Sequence, residues 1–217
     1  MRFEPSKIPF GQTRPVFGRA AASERTGPPP LKGRAAIRHQ QMVREAAALL
    51  PELPGPGESI DVLMLGYFDL AQVVVDVARR TKPRFLRIAT LCWNRRNITD
   101  LAGLLEERQT AGDPLPLLLI ASDFFFAHNA ALIDHAREQF APWSVRLVSA
   151  RSHCKIVCFD LGPEIIPDDA IVFSGSANLR TNRNREQLTV VRDRALHDWH
   201  AAWMEELASD GGAPCGK

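Results

Sequence analysis

Only four cysteines occur in 217 residues, Cys92, Cys154, Cys158 and Cys215, and no two are spaced C-x-x-C. Neither a disulfide framework nor a structural zinc site is expected, and the setting expected is reducing and cytoplasmic. No run of 18 apolar residues is present, and Met1 to Pro5 open without the apolar segment of an export signal. Membrane spans and secretion are therefore not expected. Internal repeats are absent, and lysine is scarce, five residues against 22 arginines. What remains is 45% hydrophobic and 24% charged, which excludes an acidic disordered tail and a fibrous sequence. Length and composition suit one main domain with a core of its own.

The net charge of +2 conceals an uneven distribution. Residues 1–50 hold nine Lys or Arg against three Glu, leaving 18 against 22 for the remainder. The first 33 residues are rich in Pro, Gly and Arg and have no apolar periodicity, so a flexible basic arm is expected there. Its cations, among them Arg14, Arg19, Arg25 and Lys32, suit contact with nucleic acid by releasing counterions from phosphates. An Ala-rich stretch from Gly33 to Leu50 predicts one helix, stopped by Pro51 and by Pro54-Gly55-Pro56-Gly57. Residues 1–57 thus form the arm, 58–208 the domain and 209–217 a tail.

Within the domain, short apolar runs alternate with amphipathic segments. Strands are predicted at 60–65, 85–90 and 117–121, and helices at 69–81, 97–110 and 128–140. Three strand-like runs follow at 145–150, 155–159 and 170–173, then 187–191. A last helix runs from Arg194 to about Leu207, with Leu196, Trp199, Trp203 and Leu207 on one stripe. Alternation followed by closely spaced strands predicts an α/β fold with a mixed β-sheet flanked by helices.

The chemistry-bearing stretch is Ser152-His153-Cys154-Lys155, leading to Asp160, then Gly175-Ser176-Ala177-Asn178 and Asn184-Arg185-Glu186. Strand alternation would put His153 and Lys155 on one side and Asp160 on the other, which suits a supporting role better than direct attack, and Asp160 is counted with His153 and Lys155 among the candidate catalytic residues. Ser176 and Asn178 sit where a strand turns at a glycine, and a small hydroxyl and an amide there approach phosphate oxygens closely. Glu186 is placed to accept an imidazole N–H and fix its tautomer.

In this order the residues resemble the phospholipase D superfamily, whose signature is H-x-K-x4-D followed by G-S-x-x-N or a close variant. Here it reads His153-x-Lys155-x4-Asp160 and Gly175-Ser176-Ala177-Asn178, with the asparagine one position closer to the serine. With six His, five Lys and 13 Asp in the chain, chance would produce the first half roughly 0.01 times. The resemblance covers about residues 58–208 and implies a phospholipase D-like half. One copy of the signature resembles the homodimeric branch, in which a two-fold axis brings two histidines into one site. The resemblance implies that His153 attacks phosphorus and that His153 of the partner subunit protonates the leaving oxygen. Lys155, Asn178 and Ser176 would hold the non-bridging oxygens, Glu186 would orient the imidazole, and no metal or cofactor is required. The expected activity is metal-independent cleavage of DNA or RNA. A non-catalytic nucleic-acid-binding protein and a phospholipid hydrolase or transphosphatidylase are the alternatives.

Other groups have blander readings beside functional ones. Trp93, Arg95 and Arg96 follow a strand and are candidates for contact with a polyanion. Phe124-Phe125-Phe126 either line a substrate groove or belong to the core or a dimer contact. His197 and His200 lie three apart on the last helix without a third ligand at matching spacing, so metal binding is not expected there. His128 and His135 read as part of a solvated helix face.

Overall fold

A run without polar alternation has two faces to bury, and Leu117–Ser122 is the extreme case, with all six residues buried. The computed structural model describes residues 35–38, 46–64, 67–162, 169–180 and 184–210. Seven strands form the body of one mixed sheet: β2 (Ser59–Met64), β3 (Phe85–Thr90), β4 (Leu117–Ser122), β5 (Val145–Ala150), β6 (Ile156–Gly162), β7 (Asp169–Gly175) and β8 (Glu186–Arg192). A short strand, β1 (Ala35–Arg38), adds to one edge, giving the order β1-β2-β8-β7-β6-β3-β4-β5. Helices α1 (Leu70–Thr81), α2 (Arg95–Thr110), α3 (Asp123–His128), α4 (Ala130–Phe140) and α5 (Arg194–Asp210) complete the described residues. None of them is long and apolar enough to cross a membrane.

The pairing sets which groups share an end of the sheet. β3, β4 and β5 are parallel neighbours, whereas β6, β7, β8 and β2 pair antiparallel in turn, starting from β3. The C-terminal ends of β2, β3, β4, β5 and β7 therefore coincide with the starts of β6 and β8. We call this the upper end.

Successive residues of the central strands feed opposite layers. Leu119, Val157, Phe159 and Phe173 join the core beneath α1, α2 and α4. Leu118, Ile120, Cys158 and Val172 face the other way and pack with Met204 of α5. Leu118 and Leu119 are both fully buried, each contributing about 2 kcal/mol.

Two expectations are corrected. The helix across 33–50 is not formed at its start, because residues 35–38 pair in parallel with Ser59–Val62; sheet pairing outweighs the helix preference of an Ala-rich segment. Ala46–Ala48 form a single 3-10 turn, and Leu49 and Leu50 are buried in the core, so the packed domain starts before residue 58. The helix expected over 128–140 is α4, and a short helix that was not expected, α3, precedes it. Ser122 Oγ accepts from Phe125 N at 3.1 Å to start α3. Asn129 leaves helical geometry and its Nδ2 donates to Phe125 O at 3.0 Å to end it. The basic arm over 1–33 and the residues after 210 lie outside the described residues.

Candidate active site

β5 is an edge strand, and β6 lies three places from it, beyond β4 and β3. The chain from Ala150 to Ile156 must therefore cross the upper ends of both intervening strands. Three strand spacings are about 14 Å, and six residue steps reach about 20 Å. This arch, Arg151–Lys155, is not strand, and β6 begins only at Ile156. His153 and Lys155 thus meet as neighbours on an arch, not by strand alternation. Lys155 Nζ donates to His153 O at 2.8 Å and stands 3.0 Å from His153 Nδ1.

An ammonium has only donors, so the ring nitrogen facing it accepts and the ring proton resides on Nε2. Burial draws the Lys155 ammonium below the ordinary lysine range, opposed by the nearby Cys92, Cys154 and Glu186.

The turn after β7 and the start of β8 supply the acceptors and amides. Ser176 Oγ donates a short hydrogen bond to Glu186 and accepts from Gln187 N at 3.0 Å, and Ser176 N donates to Gln187 O at 3.0 Å. Glu186 therefore meets Ser176; the imidazole's hydrogen-bond contacts among the described residues are with Lys155 alone. Asn178 Oδ1 accepts from Leu91 N at 3.1 Å, and its Nδ2 has no partner among the described residues. Leu179 N donates to Thr90 Oγ1 at 3.2 Å. These bonds pin the Gly-Ser-Ala-Asn turn to the end of β3.

Gly175 is required by closeness. A Cβ there would lie 2.1 Å from Gln187 O and 3.1 Å from Leu188 Cα. Gly175→Ala should push β7 from β8 at the point where Ser176 and Glu186 meet. We expect a stability loss of about 1–3 kcal/mol, read as a lowered denaturant midpoint, together with a loss of activity larger than the unfolded fraction explains.

The position of Leu91 is itself held. Asn94 caps α2 by accepting from Asn97 N at 2.9 Å, and Asn94 Nδ2 and Asn97 Nδ2 donate to the buried Asp69 carboxylate at 3.0 and 2.6 Å. Ser122 Oγ donates to Leu91 O at 3.1 Å, joining α3 to the same turn.

Three assignments change. Asp160 belongs to the other end of β6, paired in register with Phe85, where Arg194 Nη2 reaches it at 3.0 Å and Arg84 Nε at 3.2 Å. It lies four residue steps from Ile156, about 13 Å, and is a support and not a reacting group. Trp93 is fully buried, edge-on to Phe125 at 4.7 Å, so it cannot touch substrate. The Phe run divides: Phe125 is buried, Phe126 packs on the core, and Phe124 is exposed. Arg95 and Arg96 are exposed at the start of α2, on the upper end.

His197 and His200 are buried under α5, where Trp203 Nε1 donates to His200 Nδ1 at 3.0 Å. Burial, with His197 adding to it, lowers His200 to about 4. Among the described residues no three His, Cys, Asp or Glu side chains gather as a metal ligand set. Sequence reading missed Thr90, Leu91 and Ser122, which act through backbone and hydroxyl contacts that no motif marks. It also passed over Arg180, close enough to Cys92 to oppose the upward pull of burial on that thiol. Comparison with protein-family models finds none that matches the chain, and comparison with curated proteins finds no match.

Proposed function

We propose that the chain is a metal-independent phosphodiesterase of the phospholipase D-like kind, acting on nucleic acid in a site completed by a second copy. The observation that carries this reading is convergence. His153 and Lys155 on the arch, Ser176 and Asn178 after β7, and Glu186 at the start of β8 all stand at the upper end of the sheet.

The chemistry follows from their protonation. A phosphate entering the site competes for Lys155, whose ammonium then holds a non-bridging oxygen, with Asn178 Nδ2 as a second donor. Freed from Lys155, the His153 ring places its proton on Nδ1 toward Glu186 and its lone pair on Nε2. Nε2 attacks phosphorus, a P–N bond forms and the P–O bond to the leaving group breaks. His153 of the partner subunit, acting as the imidazolium, gives its Nε2 proton to that oxygen and becomes neutral imidazole. It then takes a proton from water, which attacks phosphorus, breaks the P–N bond and restores the free imidazole.

The test is cleavage of labelled single- and double-stranded DNA and RNA in excess EDTA, with molecular mass measured by light scattering. Cleavage by a two-chain species supports the reading, and full activity of a single-chain species overturns the shared site. Nucleic-acid binding without cleavage would assign the non-catalytic alternative, and headgroup release from phosphatidylcholine vesicles alone would assign the lipid one. Activity needs the Lys155 ammonium, whose pKa burial lowers. Its alkaline loss should therefore come below the ordinary lysine value of about 10.4; a limb at or above that value counts against Lys155 as the oxygen-holding group.

A further inference from the structure

Arginines with described side chains fall into two groups. Arg95, Arg151, Arg180 and Arg185 have no carboxylate partner among the described residues, and all the others do. The four without partners share one place. Arg95 opens α2 beyond β3, Arg151 lies on the arch, and Arg180 and Arg185 flank the connection from β7 to β8, so all stand at the upper end. All four are exposed. Glu186 and Asp123 stand at the same end, yet none of the four arginines is ion-paired among the described residues, and a polyanion relieves the repulsion among such cations.

The same end carries an aromatic surface that the core does not use. Phe124 is 67% exposed, with its ring centroid 4.2 Å from that of His128 and the planes inclined by 30°. It follows Ser122, whose Oγ bonds to Leu91 O while Leu91 N bonds to Asn178. Two hydrogen bonds therefore separate the element that carries Phe124 from a phosphate-facing amide. An exposed ring backed by a second ring is a stacking platform, and every nucleobase has a π-face to lay on it. A duplex keeps those faces covered.

We infer that the upper end binds single-stranded nucleic acid, one unpaired base stacking on Phe124 while the backbone runs over Arg95, Arg151, Arg180 and Arg185 toward His153. This names the substrate class of the site proposed above and rests on that reading for its catalytic sense. The four arginines at the same end, unpaired among the described residues, favour a polyanion as what lies on the Phe124 ring.

The experiment uses the full chain carrying His153→Asn and measures fluorescence anisotropy of a labelled oligothymidylate and of a labelled duplex of equal length. Adding Phe124→Ala should weaken oligothymidylate binding about tenfold and leave duplex binding unchanged, and Phe124→Trp should restore it. Each of the four arginines replaced by alanine should lower the salt slope of single-strand binding by about 0.7. Equal weakening of both ligands, or of neither, overturns the inference. A halved mass in light scattering on Phe124→Ala also overturns it, because the ring then serves a contact between copies. Hydrolysis of bis(4-nitrophenyl) phosphate by the chain with His153 intact tests the chemistry separately. If neither that ester nor any nucleic acid is cleaved, the phosphodiesterase reading falls while Phe124-dependent single-strand binding keeps this one; cleavage without strand preference does the reverse.

Discussion

Replacing His153 by asparagine should lower phosphodiester cleavage on the order of 10⁴-fold or more, since the nucleophile and the proton donor are lost together. Asparagine keeps an acceptor near the position of Nδ1 for Lys155, so the arch retains its contact while the nucleophilic nitrogen disappears. The stronger form of the experiment mixes the two proteins. If each site draws one histidine from each chain, a mixed dimer has half a mechanism and turns nothing over. After subunit exchange at equal amounts, about a quarter of the activity should survive, against about a half if each chain works alone. Cleavage unaffected by His153→Asn would sink the proposal outright.

Asp160→Ala is expected to act on stability and to spare the chemistry. The carboxylate is 13% exposed and meets Arg194, itself 18% exposed, and Arg84. Removing it leaves a largely buried guanidinium without one of its counter-charges, a loss of about 2–3 kcal/mol, or about 5–10 °C in Tm for a chain of this size. Burial raises the Asp160 pKa, but the hydrogen bonds and charge of Arg194 and Arg84 outweigh it and hold the carboxyl below its usual value. A group depressed on folding contributes stability that is present above its unfolded pKa, about 3.9, and is lost as pH falls through the folded one. The wild-type chain should therefore lose stability in two stages on acidification. The first belongs to His200, neutral in the fold and lowered to about 4, and opens near the unfolded histidine value of about 6.5. The second belongs to Asp160 and lies lower. Denaturant midpoints measured against pH should show Asp160→Ala flattening the lower stage only. A variant that folds with wild-type stability but fails to cleave would return Asp160 to the reacting groups.

Several elements were legible because one rule sufficed for each. β3 and β5 match their predicted bounds of 85–90 and 145–150, each being a run flanked by residues that stop a strand. The mixed sheet followed from the closely spaced strands between residues 145 and 191, with no helix predicted among them. Alternation gave Asp160 a place apart from the histidine for the wrong reason: His153 precedes β6 on the arch, and the length of the strand, with Arg84 and Arg194 at its far end, is what separates them. Other features depended on contacts between distant parts of the chain. Trp93-Asn94-Arg95-Arg96 reads as a polar loop, yet Trp93 turns inward beneath Phe125 while Arg95 and Arg96 turn out, and no local pattern separates them. Asn129 resembles a helix interior until its side chain closes α3. The arginines without partners were invisible for the same reason, because an ion pair is a statement about two places in the sequence. The pairing of Ser176 with Glu186, ten positions apart, needs the β7–β8 hairpin before it exists.

That hairpin carries a consequence for biosynthesis. Among the described residues β8 is the last strand in chain order, yet it sits inside the sheet, between β7 and β2. Until Glu186–Arg192 is inserted, β2 and β1 have no partner in the rest of the sheet, and Ser176 lacks both Glu186 and Gln187. A nascent chain that already displays His153 and Lys155 is still without the residues that complete their surroundings. The hydrogen-bonded corner of Ser176, Glu186 and Gln187 is therefore assembled late, in one step, when β8 slots between β7 and β2.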